Sequence, residues 1–172
     1  MIKLGKKIET AFNEQIINEA TNAYFYLSMY NWLENKSYKA AKFFKIQFDE
    51  ETKHMQMFID YLLLKTNLVE MPVVNLQKAG KDIEFKNLYH ILQEAQKAEE
   101  ETTKQIYDLV KLAKDENEYA AFEFLQFFVK EQDEEMGWAR AFLDKALILG
   151  VTKEISNGIT VSKLDKFIGN YK

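Results

Sequence analysis

The chain contains no cysteine. That excludes disulfides, thiolate metal sites, iron–sulfur ligation and cysteine nucleophiles. It has one proline and six glycines in 172 residues, too few for the many turns of an all-β domain. There are only two histidines, so any metal site must be mostly oxygen-ligated. Oxygen-rich sites with one imidazole suit iron or manganese better than zinc or copper. No apolar run reaches the roughly 18 residues of a membrane span. The start, Met1 to Lys7, lacks the apolar stretch of a signal peptide. These absences make a cytoplasmic location the expectation, with no membrane partner. A net charge of −4 leaves nothing to offset phosphate repulsion, so no nucleic-acid partner is expected.

What is present points to helix. Hydrophobic residues make up 47% of the chain, and Glu, Lys, Ala, Leu and Gln fill its middle. The expectation is one all-α domain over 1–172. Apolar residues recur every three or four positions from about Lys6 to Glu34, through Ile8, Phe12, Ile16, Ala23, Leu27 and Leu33. Asn35-Lys36-Ser37 then reads as a turn, with Ser37 as N-cap of a second helix over about 38–66. The stretch from Asn67 to Lys81 has no helical period and contains Pro72 and Gly80. Fifteen extended residues reach roughly 50 Å, enough to cross a 28-residue helix of about 42 Å. Asp82 reads as the cap of a third helix over 82–115 that includes Phe85. A fourth covers 118–149 and stops at Gly150. Ser162-Lys163-Leu164-Asp165 resembles a capping box for a short fifth helix over 163–169. This is a four-helix bundle with one long crossover between helices two and three, the connection of ferritin-like folds.

Acids interrupt the apolar stripes. Glu51 and His54 form E-x-x-H, which places a carboxylate and an imidazole on one helix face. Glu19 and Glu99 each sit in an otherwise apolar stripe, and Gln132 and Glu135 repeat the i, i+3 spacing in helix four. A single acid on a helix is usually solvated, and His54 or Tyr26 alone would usually be packing. Their coincidence near the middle of four helices decides otherwise. Burying several carboxylates at one level is costly unless cations neutralise them, so the pattern indicates a di-metal carboxylate centre. His90 lacks an acid partner at ligand spacing and reads as structural.

Longer segments then resemble one family. Asn13-Glu14-Gln15, Trp32, Glu50 to Gln56, and Phe124-Leu125-Gln126-Phe127-Phe128-Val129-Lys130-Glu131-Gln132-Asp133-Glu134-Glu135 are similar to the prokaryotic non-haem ferritins. The resemblance implies that Glu19, Glu51 and His54 hold one ferroxidase iron. It implies that Glu51 bridges to a second, with Glu99 and Glu135 as further ligands and Gln132 beside it. Tyr26 matches the catalytic tyrosine next to the centre, which supplies an electron or a hydrogen bond. Glu50, Glu131 and Glu134, with Glu135 shared, match a third iron site. The implied function is oxidation of Fe(II) by O2 or H2O2 and storage of ferric mineral in a homo-oligomer of 24 subunits. Tyr24, Tyr30 and Phe43 read as exposed aromatics suited to a subunit interface. No haem is expected, because Thr52 stands where bacterioferritins carry a haem-ligating methionine. The helix-four histidine of bacterioferritins and rubrerythrins is absent. Phe122 and Leu125 occupy the positions of channel-lining acids in animal ferritins. Two other readings remain open: a rubrerythrin-like di-iron peroxidase or oxidase without mineral storage, and a non-catalytic structural bundle.

Overall fold

The computed structural model describes residues 3–65, 67–70, 84–153 and 157–171. It contains α1 (Lys6–Glu34), α2 (Ala41–Leu64), α3 (Leu88–Asp115), α4 (Tyr119–Ile148) and α5 (Gly158–Gly169). α1 packs on α2, α3 on α4, and α1 on α3, which makes the four long helices a bundle; α5 lies across the ends of α2 and α4.

The two tight turns end their helices alike. After α1, Ser37 takes a left-handed φ of 59°, and Tyr38 N and Ser37 N donate back to Leu33 O and Glu34 O. After α3, Asn117 has φ 57°, and Glu118 N and Asn117 N donate to Ala113 O and Lys114 O. These are Schellman closures, which satisfy the last helical carbonyls. Gly150, with φ 68°, closes α4 in the same way.

Several expected boundaries are corrected. Ser37 terminates α1 and does not cap α2, which starts at Ala41 and ends at Leu64 rather than spanning 38–66. The buried Ala40 N–H at that start donates to Asp165 Oδ1 of α5 at 2.8 Å. α3 begins at Leu88 rather than 82, because Asn87 accepts from His90 N as its N-cap. Asp82, Pro72 and Gly80 lie outside the described residues. Phe85 precedes α3, where it packs 6.3 Å from both Phe25 and Trp32. α4 covers Tyr119–Ile148 rather than 118–149. α5 begins at Gly158, capped by Asn157 Oδ1 accepting from Ile159 N. Asp165, engaged with Ala40, is not part of a capping box with Ser162.

The crossover is fixed at its two ends. Asn67 bonds Leu4 and Glu9, and Asn13 bonds Leu68 O and Glu70 N, so the connection leaves α2 beside the start of α1. Phe85 meets α1 at Phe25 and Trp32, twelve or more residues further along and so at least about 18 Å away.

The apolar core is split. One cluster holds Ile8, Phe12, Ile16, Phe58, Leu62, Ile106, Leu125 and Phe128 at one end. The other holds Met29, Leu33, Phe44, Leu92, Trp138, Phe142 and Ile168. A polar layer lies between them. Phe43 belongs to the second cluster and is buried, so it is not the exposed interface aromatic expected of it; Tyr24 is exposed. Leu125 is fully buried and cannot line a channel.

α5 is docked with little room. A Cβ on Gly169 would fall 2.8 Å from the Lys39 backbone oxygen. Gly169→Ala is therefore expected to cost about 1–3 kcal/mol, seen as a lowered melting temperature. An unchanged one would mean that the α1–α2 turn yields.

Candidate metal centre

Each ligand candidate sits near the middle of its helix, so the bundle brings all four helices' acids to one level. Glu19, Glu51, His54, Glu99, Gln132 and Glu135 are buried, and Tyr26 completely so. Among the described residues two groups could each hold a cation: Glu19, Glu51 and His54, and Glu51, Glu99 and Glu135. Within each group one ligand atom per residue lies within 4.8 Å of the others. Glu51 belongs to both, which is the geometry of a bridge.

The electrostatics are those of a site built for positive charge. Glu19 Oε2, Glu51 Oε1 and Oε2, and Glu135 Oε2 are buried without a hydrogen-bond partner. Burial, then the neighbouring Glu19 and Glu135, push the Glu51 carboxyl far above its ordinary range. Burial, then Glu99, does the same to Glu135. Burial raises Glu99 to about 7 against the partial relief of Tyr26 and Gln132. Two cations would reverse each of these effects, since an opposite charge within a few ångströms favours the ionised form. The donor set of carboxylates with one imidazole fits a hard, oxygen-seeking metal such as iron.

The surrounding groups hold these acids in place. Tyr26 donates its phenol hydrogen to Glu99 Oε1; burial, then the charge of Glu99, raises its pKa well above the ordinary range, so it stays protonated. Gln15 Nε2 donates to Glu19 Oε1 at 2.8 Å. Gln132 Nε2 donates to Thr103 Oγ1 at 3.1 Å and lies 3.4 Å from Glu99 Oε2. Gln132 thus faces Glu99 with its nitrogen and supports that carboxylate as a donor. Gln15 and Thr103 were not singled out from the sequence. Each sits four residues from an acid it supports directly or through Gln132, and that spacing is the signal that could have found it.

The three further acids lie to one side. His54 Nε2 is 3.8 Å from Glu131 Oε2, and His54 Nδ1 is 3.8 Å from Glu51 Oε2, too long for hydrogen bonds but close enough to share an ion. Glu50, Glu131 and Glu134 line a cavity of about 400 Å³ that also touches Glu135. Glu131 and Glu50 are half-buried and Glu134 is exposed. Burial raises the Glu50 carboxyl. Among the described residues, no helix is long and apolar enough to cross a membrane.

Comparison with known proteins agrees with the helical fold. Residues 9–148 match the family description "Ferritin-like domain". A "Bacterial non-heme ferritin" of Campylobacter jejuni is 33% identical, over 97% of this chain and 95% of that protein. One of Escherichia coli is 32% identical, over 83% and 84%. Among solved structures, an open-pore ferritin from the archaeon Archaeoglobus fulgidus superposes with a TM-score of 0.88 at 26% identity, over 100% of both chains. The fold, the level set of acids and this match over most of the length place the chain in the ferritin family of iron-storing proteins.

Proposed function

We propose that the protein is a ferroxidase that stores its product. Fe(II) is the substrate. Glu19, Glu51 and His54 receive one ion, and Glu51, Glu99 and Glu135 the other, with Gln132 steadying Glu99. The observation that carries this reading is the pair of overlapping buried ligand groups with four carboxylate oxygens left unpartnered. Such oxygens destabilise an empty bundle and are compensated by cations.

The chemistry follows from the pairing. Two Fe(II) ions give one electron each. With two protons they reduce O2 to H2O2, or H2O2 to two waters. The carboxylates hold both metals at one level and favour the ferric product, because hard oxygen donors bind the higher charge better. Tyr26, protonated and hydrogen-bonded to Glu99, is placed to supply a hydrogen bond or an electron at the centre. The second group has no imidazole, so it binds more weakly and releases its ion more readily. Glu50, Glu131 and Glu134 form a third station beside it. Family membership supports a homo-oligomeric shell, with 24 subunits as the resemblance implies.

The test adds Fe(II) aerobically to the purified metal-free protein and follows ferric absorbance together with particle size. A large particle that oxidises and retains far more than a few irons per subunit supports storage. Stoichiometric oxidation followed by precipitation would leave a di-iron oxidase and sink the storage reading. His54→Ala is expected to slow the fast oxidation phase by about 10- to 100-fold with particle size unchanged. An unaltered fast phase would show that the first ion sits elsewhere.

A further inference from the structure

The acids of the first ligand group differ in how many oxygens they leave free. Glu51 leaves both unpartnered, one for each ion. Glu19 leaves only Oε2, because its Oε1 accepts from Gln15 Nε2 at 2.8 Å. Gln15 is 2% exposed. Its orientation is set in turn by Asn18, whose Nδ2 donates to Gln15 Oε1 at 3.3 Å. An amide has one accepting end and one donating end. With the Gln15 oxygen turned to Asn18, its nitrogen must face Glu19. The three residues share one face of α1 by their i, i+3 and i+4 spacing, and Asn18 is the half-buried member of the row.

A buried amide is costly unless its polar ends are bonded, and an apolar side chain would fill the same space without that cost. Gln15 therefore needs a reason beyond packing, and its bond to Glu19 supplies one. An oxygen that already accepts a hydrogen bond is the poorer donor to a metal. With Glu19 Oε1 so engaged, the group offers the first ion Glu19 Oε2, one oxygen of Glu51 and one nitrogen of His54. A Glu19 that chelated through both oxygens would fill one position more. A metal site that reacts keeps a position for its reactant, whereas a site closed by protein ligands has none. We propose that Gln15 is a positioning residue that holds Glu19 to a single oxygen on the first ion and so keeps a coordination position open there for the oxidant. This rests on the ferroxidase reading and names the residue that sets the reactivity of its first ion.

The other acids show that the restriction is specific to Glu19. Glu99 is held through Oε1 by Tyr26, which belongs to the second ligand group. Glu51 has no donor on either oxygen, as a carboxylate that must reach two ions requires. Gln15 thus acts on the one acid that serves the first ion alone. Its loss should leave the metal bound and close the site to a small anion, which separates this role from plain support of a ligand.

The probe is cobalt(II), which absorbs visible light and takes oxygen and nitrogen donors, titrated into the full-length metal-free protein. Azide then reports the open position through its shift of the cobalt spectrum. The part of that shift lost in Glu19→Gln belongs to the first ion. Gln15→Leu is expected to bind cobalt as tightly as the native chain and to weaken this azide response about 10- to 100-fold, the usual size of an effect transmitted through a ligand's hydrogen-bond partner. Asn18→Ala, at a half-buried position, is expected to act in the same direction by less. Rapid Fe(II) oxidation by Gln15→Leu is expected to lose kcat with KM for Fe(II) unchanged. Unchanged azide affinity in Gln15→Leu overturns the proposal, and should that variant not fold, unchanged affinity in Asn18→Ala does so in its place. Cobalt binding weakened about tenfold or more in Gln15→Leu also overturns it, by making Gln15 a mere prop for Glu19. A native protein that takes up no cobalt through Glu19 contradicts the ferroxidase reading itself, whereas variants that match a native protein binding both cobalt and azide overturn this proposal alone.

Discussion

Glu51→Gln is expected to slow rapid Fe(II) oxidation at least about a hundredfold and, at neutral pH, to stabilise the metal-free protein. The two effects have one cause. Glu51 is the only residue shared by both ligand groups, so its loss damages both ions' sites at once. Both of its carboxylate oxygens are buried without a partner, and burial together with Glu19 and Glu135 opposes its ionisation. Glutamine keeps the shape and removes the cost of holding a proton that the unfolded chain releases at neutral pH. The gain for the metal-free fold is about 1–3 kcal/mol, or several degrees in melting temperature. Stopped-flow ferric absorbance and thermal melting of the metal-free protein check the two halves. A variant that oxidises iron normally, or that melts lower when metal-free, contradicts the bridging role. A purely structural bundle with incidental acids would show the stability gain with no chemistry to lose.

The acids could be found from the sequence because their signal is local. Glu51 and His54, like Gln132 and Glu135, share a face by the i, i+3 rule, and Glu19 and Glu99 stand out against apolar stripes that a helix must bury. The bundle then needed only helices of similar length to bring them level. The misplaced boundaries share the opposite property, since their causes lie far along the chain. Ser37 looked like an N-cap, but the turn required a left-handed residue there. The start of α2 is instead capped by Asp165, 125 residues away. That same use takes Asp165 out of the capping box it resembled, and α5 starts five residues earlier than 163. Phe85 fitted the period of helix three, yet its contact with Phe25 and Trp32 on α1 holds it outside that helix. Phe43 shows the same limit. Its place in the sequence suits an interface aromatic, but Phe142 of α4 and Tyr171 cover it.

Metal-free protein is expected to lose stability as pH rises from about 5 to 7.5, and metal-loaded protein is not. Three buried acids, Glu51, Glu99 and Glu135, have folded-state pKa values above their ordinary ones, with burial as the leading cause. Below about 4.5 they are protonated in both states and the slope is flat. Above that, the unfolded chain releases its protons while the folded bundle keeps them, so the folded state binds more protons and stability falls with pH. The loss continues until the folded groups also ionise, near 7 for Glu99. Glu99 alone, raised from 4.5 to about 7, accounts for about 3 kcal/mol at 1.36 kcal/mol per unit. A bound cation inverts this. It requires ionised carboxylates, so binding releases protons and tightens as pH rises. The stabilisation it adds grows over the window in which the metal-free fold weakens. Melting curves at pH 5 and 7.5, with and without a redox-inert divalent ion such as zinc, separate the terms. The expected result is a lower metal-free melting temperature at pH 7.5 and a larger metal-induced rise there than at pH 5. Glu99→Gln should flatten the metal-free profile. A metal-free melting temperature that climbs between pH 5 and 7.5 would show that these acids are ionised at little cost, and that the empty bundle does not need cations to neutralise it.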